Sequence, residues 1–491
     1  MLGGRTNHWG RLSFRNGPYD FKPRSRDNLG FDWPISYDDV APYYDKAEML
    51  IGVCGDNHGL ENTPDSPPGC LLPPPKPRVS DLLFRKAGRT LGIPVISSHR
   101  AVLTRRLEFA ALPQKLHPGN ARAQSLLRDS MERRAACFWA THCGRGCAIR
   151  ANYQSPTVHL PPALNSGNLD IVCDAMAREV TLDPKGRARG VAFIDKASGW
   201  EHEARARVIV LAASAAESVR LMLNSKSNAF PQGLGNSSGL VGRYLMDTVG
   251  SDFRGQIPAL EGLPVHNEDG AGGGHVYAPW WLYRRQLAGE LGFARGYHIE
   301  YNGGRQLPNL GTGADLQWLT GGTYGRKFKS DVRRYYGTFV SFSGRGEMIP
   351  NDHSYCEIDP TRKDRWGIPV LRFHWKWSEH ETRQAAHMQK TFAEIVRLMG
   401  GRASSPPQND GAKAISAGGE IIHEVGGAMM GDNPATSVTN RWGRSHDVPN
   451  LFLTDGATFC SNADKNPTLT IMALAWRTAD HIMTAAKRNE V

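Results

Sequence analysis

The stretch from residue 420 to the C-terminus constrains this chain most. His423 stands in IIHEVGGAMMG and Asn466 in NADKNPTLTIMALAWRTADHI, with VPNLFLTDGATF between them. The apolar run up to Leu453 is short and Asp455-Gly456 closes it, so it reads as a buried strand ending in a turn. Asn466-Pro467 reads as a helix start, with Asn as cap and Pro at the first helical position. An imidazole titrates near neutral pH and suits a general base. A lone histidine is as readily a hydrogen-bonded structural one, so its setting has to decide.

Upstream, residues 165–224 carry an α/β pattern. GNLDIVCDAMAREVTLDPKGRARGVAFID holds β-type runs joined by the turn DPKGR. ARVIVLAASAAESVRLMLNSKS follows as a buried strand from Val208 to Leu211, a turn of small residues and a helix. GLGNSSGLVGRYLMDT adds Gly235, Gly239 and Gly242. Residues 1–60 read as a loop and then a helix, with Ser36 as N-cap and Tyr43, Ala47 and Leu50 at helical spacing. The proline-rich stretch 61–78 is a surface connection, and LLFRKAGRTLGIPVISSHRAVL reads as helix, turn and strand. Residues 250–400 hold aromatic, β-prone runs (GGHVYAPWWLY, ARGYHIEYNG, YYGTFVSFSGRGEMI), then two strands around a charged turn and the helix HETRQAAHMQKTFAEIVRLMG. Strands in series followed by a helix predict an antiparallel sheet backed by helices.

A chain of 491 residues predicts about two or three domains. It has no apolar run of about 18 residues, which argues against a membrane-spanning helix. The net charge of +11 comes from interspersed Lys, Arg, Asp and Glu without a long basic run, which speaks against nucleic-acid binding and suits solubility or an acidic redox partner. No basic start followed by an apolar stretch follows Met1, so no signal peptide is predicted and the compartment, bacterial cytoplasm or periplasm, stays open. No strand–GxGxxG–helix unit is present, the unit that normally seats a pyrophosphate on a helix N-terminus.

The segment 420–485 resembles the C-terminal part of the glucose–methanol–choline (GMC) flavoprotein oxidoreductases: a catalytic His after a strand, an Asp-Gly turn beside FAD, then His or Asn opening the last helix. The resemblance implies an α/β (α+β) fold, with an incomplete Rossmann-like FAD-binding domain and an antiparallel-sheet substrate domain. It implies a discontinuous FAD-binding domain over 1–60, 165–250 and 420–491, a connecting region over 61–164, and a substrate-binding domain over 251–419. It implies His423 as the base for the hydroxyl proton while hydride leaves for flavin N5, and Asn466 as the group that holds the substrate oxygen. Asn cannot take a proton, which leaves His423 as sole base. Gly4, Asn7, Val180, Asp455, Gly456, Pro467 and Thr468 are the implied cofactor contacts. The family usually has glycine where this chain reads Ala212-Ala213-Ser214, and the N-terminus resembles a segment the family carries after its dinucleotide motif, so truncation is expected.

GGRTNHWG is similar to the segment in which pyranose-oxidase-type members bond His covalently to the flavin; only some members have that link, so His8 either carries covalent FAD or only packs near the isoalloxazine. Cys137, Cys143 and Cys147 follow C-x5-C-x3-C, with Gly144 and Gly146 permitting a tight wrap, and thiolates so gathered suit a metal centre. Three cysteines fit a 3Fe–4S cluster, zinc would take His142 as fourth ligand, and the remaining alternative is that they bind no metal. A similar three-Cys segment in bacterial sugar dehydrogenases that reduce a cytochrome implies the cluster, with a sugar or glycoside substrate, a small subunit and a cytochrome c as partners. The rivals are a pyranose-type oxidase using oxygen and a truncated, non-catalytic flavoprotein fragment. Trp280, Trp281, Tyr297, His298 and Trp318 are candidate sugar contacts, although aromatic residues on strands are more often core.

Overall fold

The computed structural model describes residues 2–107, 111–139, 143–264, 270, 274–305 and 310–491. The aromatic runs of the middle region form the sheet their pattern dictates. Six strands lie in the order Ile96–Ser97, Val276–Ala278, Tyr297–Gly303, Phe339–Gly346, Val249–Gln256 and Arg402–Ala403, every neighbouring pair antiparallel. Along Phe339–Gly346 every second residue is buried, the period of a sheet with one face on a core. The helix Glu379–Leu398, opened by a capping box at Ser378, lays Ala385, Met388, Phe392, Ile395 and Val396 on that face. Each large apolar side chain so buried contributes about 1.5–3 kcal/mol. Gly344 and Gly346 make the approach possible: a Cβ at these positions would stand 2.3 Å from Met388 Sδ and 1.8 Å from Gln384 Oε1.

A second core gathers Val219, Met222, Leu245, Cys356, Val438 and Leu453. Its spine is a parallel pair, Leu451–Leu453 with Ile209–Leu211, in register Leu451 to Ile209. The helix Ala215–Asn224 returns over it. The meander Ala175–Leu182, Ala188–Asp195 and Glu201–Arg205 flanks the pair, its first turn being the expected DPKGR. Among the described residues no further strand lies along the other edge of Ile209–Leu211, and Val210 is 45% exposed.

The helix Tyr37–Ile51 starts at the predicted Ser36 cap, but it buries Val40, Tyr44, Ala47 and Ile51, a face rotated from the Tyr43–Ala47–Leu50 stripe. The reason is its partner, the terminal helix Thr468–Lys487: Tyr44 OH meets Thr470 Oγ1 at 2.8 Å. Two elements cross the boundaries drawn from sequence. Ile96–Ser97, inside the stretch read as a connection, joins the six-stranded sheet. The hairpin Tyr355–Lys363 with Pro369–His374 packs Cys356, Ile358 and Leu371 into the second core rather than onto that sheet. No helix among the described residues is long and apolar enough to cross a membrane.

Candidate active site

The two cores meet around a cavity of about 1110 Å³. His423, Asn466, His8, Gly4, Asp455, Gly456, Pro467 and Thr468 all line it, as does the Ala212-Ala213-Ser214 turn. The main chain of His423 is tied down, its N–H donating to Asp247 Oδ1 at 2.8 Å. Burial pushes the Asp247 carboxyl up to about 6. The His423 ring lies between two partners: Nδ1 is 3.1 Å from Thr248 Oγ1 and Nε2 is 3.2 Å from Asn466 Nδ2. Asn466 Nδ2 also donates to Glu300 Oε1 at 3.2 Å, while its Oδ1 is buried without a partner. An amide oxygen left so costs free energy until something donates to it. That orphan also rules out Asn466 as a side-chain cap, and the terminal helix takes Pro467 as its N-cap.

Burial pushes the His423 imidazole down to about 4, against the pull of the Glu300 carboxylate. Arg345 and His298 from the sheet oppose its protonation, and Glu424 from its own segment favours it. The ring is therefore neutral at pH 7 and able to accept a proton. The sign for activity follows: a base works only when unprotonated, so kcat/KM is expected to hold level down from neutrality and fall below about pH 4. An acid limb centred near 6.5, the unperturbed value, would overturn this.

The N-terminal segment reaches the same cavity. Arg5 Nη1 donates to Glu424 Oε2 at 2.5 Å and to Ile422 O at 2.7 Å, which fastens it beside His423. Thr6 Oγ1 meets Ser155 Oγ at 2.7 Å. His8 follows the 3-10 turn Gly4–Asn7 and its side chain is exposed on the cavity wall. Asn7 is displaced from the role assigned to it: its Nδ2 donates to Leu2 O at 2.9 Å and it does not line the cavity. Val180 is elsewhere too. It is buried in the second core, and its N–H donates to Ser225 Oγ at 2.8 Å. Asp455 organises the turn below the cavity, its Oδ2 accepting from Ser218 Oγ at 2.5 Å and Ser214 N–H at 3.2 Å. Ser214 adopts φ +91°, a conformation that suits glycine. The turn thus keeps a glycine-like path without the glycine.

FAD fits this arrangement: the cavity has the volume, the terminal helix directs its N-terminus into it, and Asn466 Oδ1 awaits a donor. The three cysteines lie in one stretch beside the N-terminal segment, and no site for a single metal ion forms among them in the described residues. Cys143 is buried and Cys137 and Cys147 half-buried. Cys137 N–H is pinned to Leu103 O at 2.7 Å and Cys143 O to Asn152 Nδ2 at 3.1 Å. Among the described residues only Asp20, Glu347 and Asp464 bring three candidate ligand atoms within 4.8 Å of one another. Those carboxylates are answered by cations, Lys465 Nζ lying 3.0 Å from Asp20 and 2.6 Å from Asp464, with Arg26 and Arg295 near Glu347. His142 lies outside the described residues.

Sequence reasoning missed Glu300, Thr248 and Arg345, each on or beside a sheet strand. Of the aromatic candidates, Trp280, Tyr297 and His298 are core, Trp281 is half-buried and Trp318 is exposed, and none lines the cavity.

Two profiles of GMC oxidoreductases match the chain, the N-terminal one over residues 26–249 and the C-terminal one over 350–475. The 2-methyl-1,2-propanediol dehydrogenase of Mycolicibacterium austroafricanum is 29% identical over 483 residues, 98% of this chain and 80% of that protein. The fructose dehydrogenase large subunit of Gluconobacter japonicus is 29% identical over 502 residues, 99% of this chain and 81% of that one. Among solved structures, a variant of Aspergillus oryzae formate oxidase has a TM-score of 0.63 at 12% identity, covering 100% of this chain and 85% of that one.

Proposed function

The chain belongs to the GMC oxidoreductase family, and from that premise we propose that it oxidises a hydroxyl-bearing carbon of a sugar, glycoside or related polyol, with His423 taking the hydroxyl proton. It is an FAD-dependent oxidoreductase acting on CH–OH donors. The observation that carries the proposal is His423 Nε2 facing Asn466 Nδ2 at 3.2 Å on the wall of one cavity. FAD, when bound, supplies the hydride acceptor. Gly4, His8, Asp455, Gly456, Pro467 and Thr468 would hold it. His423 Nε2 accepts the hydroxyl proton as the carbon gives up hydride, and the Asn466 amide hydrogen then at Nε2 turns to the substrate oxygen. Glu300 and Arg345 add charged groups to the cavity wall, which suits a polyhydroxylated donor. Two relatives named for a diol and for fructose support that class. Anaerobic bleaching of the FAD-loaded protein by a panel of sugars and polyols is the test. A flavin that stays oxidised with every member would overturn the proposal.

Where the electrons go next is a finer reading. Transfer through a 3Fe–4S cluster on Cys137, Cys143 and Cys147 to a cytochrome c or quinone is supported by the clustering of these residues in sequence and by similarity to a dehydrogenase large subunit, which also supports a small-subunit partner. The rival is direct reduction of oxygen, as in a pyranose-type oxidase, if the three cysteines bind no cluster. Iron and sulfide analysis of protein prepared without air separates them. Stoichiometric iron is expected for the dehydrogenase; absence of iron with peroxide formed in air establishes the oxidase. The exposed His8 ring supports covalent attachment, which predicts that acid precipitation carries the yellow colour into the pellet.

A further inference from the structure

We propose that Glu300 is a positioning residue for His423 and Asn466: it fixes the orientation of the Asn466 amide and, through it, the tautomer of His423. The proposal rests on the reading of His423 as the base. An ionised carboxylate only accepts hydrogen bonds. Burial opposes ionisation of Glu300, but the bond from His298 and the nearby Arg345 guanidinium outweigh it and hold the carboxyl below its usual range. The Asn466 atom 3.2 Å from Glu300 Oε1 must therefore be the nitrogen, because the amide oxygen there would face carboxylate lone pairs. With Nδ2 so placed, its second hydrogen points at His423 Nε2, also at 3.2 Å. That nitrogen is then the acceptor, and the ring proton sits on Nδ1, donating to Thr248 Oγ1 at 3.1 Å. The lone pair is presented on the cavity side, where a hydroxyl can take the place of the amide hydrogen. The opposite amide flip would set Oδ1 against Nε2, select the other tautomer and leave the base without a lone pair to offer.

Glu300 is itself held. It lies on Tyr297–Gly303, two residues from His298, whose Nε2 is 3.4 Å from Glu300 Oε1. His298 Nδ1 bonds the backbone oxygen of Asp464, two residues before Asn466, and Arg345 is the cross-strand partner of His298. The segment carrying Asn466 and the strand carrying Glu300 thus fix each other. A hydrogen bond to a charged group favours one amide orientation roughly ten- to hundredfold.

The test reads the tautomer directly, without turnover. Nitrogen-15 histidine NMR of the FAD-loaded chain, with His423 identified by its loss in His423→Gln, is expected to show an unprotonated Nε2 and a protonated Nδ1. Glu300→Gln is expected to mix the tautomers and lower the rate of flavin reduction at least tenfold, with KM changed less than threefold. Glu300→Asp, which keeps the carboxylate on the strand, is expected to keep the wild-type tautomer. In an Asn466→Ala background Glu300→Gln is expected to cost less than threefold, because the amide it orients is gone. An unchanged His423 tautomer in Glu300→Gln, or an equal loss in both backgrounds, overturns the proposal. A wild-type protein that reduces no flavin would instead overturn His423 as base, and the spectrum would still decide what Glu300 does.

Discussion

Replacing His423 by alanine is expected to slow anaerobic flavin reduction by roughly 10²–10⁴-fold at neutral pH, while FAD binding stays within about twofold. The magnitude is that of losing a positioned general base. Asn466, 3.2 Å away, has no basic nitrogen to take over, and Asp247 spends Oδ1 on the His423 N–H and accepts the Thr248 N–H as well. Glu300 Oε1 is taken up by Asn466 and His298, and a carboxyl held below its usual range is a weak base. The side chain is also not structural in the sense of a core residue: it is half-buried on the cavity wall, and its truncation leaves both hydrophobic cores intact. Stopped-flow absorbance is the measurement. Added imidazole is expected to restore part of the rate, since the vacated space opens on the cavity. A loss below tenfold would mean that another group, or bulk water, takes the proton.

The largest stability effect is expected at Lys465. Its side chain is almost wholly buried and bridges Asp20, in the N-terminal segment, to Asp464, two residues before Asn466. Lys465→Met keeps the length and apolar stem but leaves two buried carboxylates without their cation. Breaking one partner of such a network costs about 3–5 kcal/mol, far more than the intact network contributes relative to apolar residues. Asn62 Nδ2, at 3.0 Å from Asp20, cannot compensate a whole charge. Urea unfolding at fixed FAD concentration reads the change, because bound cofactor would otherwise shift the midpoint. The equivalent change in the exposed Arg334–Glu261 pair is expected to leave the midpoint in place. A loss under about 1 kcal/mol for Lys465→Met would show that water reaches the two carboxylates.

The parts of the site visible in sequence are those written in consecutive residues. HEVGGAMMG, TDG and KNPT each carry a short-range pattern, and the cavity wall holds His423, Asp455, Gly456, Asn466, Pro467 and Thr468. Ser36 could be read as a cap because the bond it makes to Asp39 N–H spans three residues. Glu300 and Thr248 could not be found this way. Their partners lie 166 and 175 residues away, and in sequence each is one polar residue on or beside an apolar strand. Asn7 is a local matter, since its amide bonds Leu2 O and it is not among the residues on the cavity wall. Trp280 and Tyr297 were open to two readings, and burial against Phe293 and Phe392 decided for the core. The helical stripe at Tyr43 was misplaced because periodicity gives a face only to within a residue, and the terminal helix chose the neighbouring one.

The parallel pair Leu451–Leu453 with Ile209–Leu211 has a consequence for handling the protein. Parallel strands are ordinarily enclosed on every side, and two alone are too few to be stable unsupported. Here the short strand Ile209–Leu211 pairs with one neighbour only among the described residues, and the Val210 side chain on it is exposed. Such an edge is a template on which another chain can add a strand. On that basis light scattering is expected to rise with protein concentration before any ellipticity is lost, and a flat scattering profile across the concentration series would show that the edge is covered.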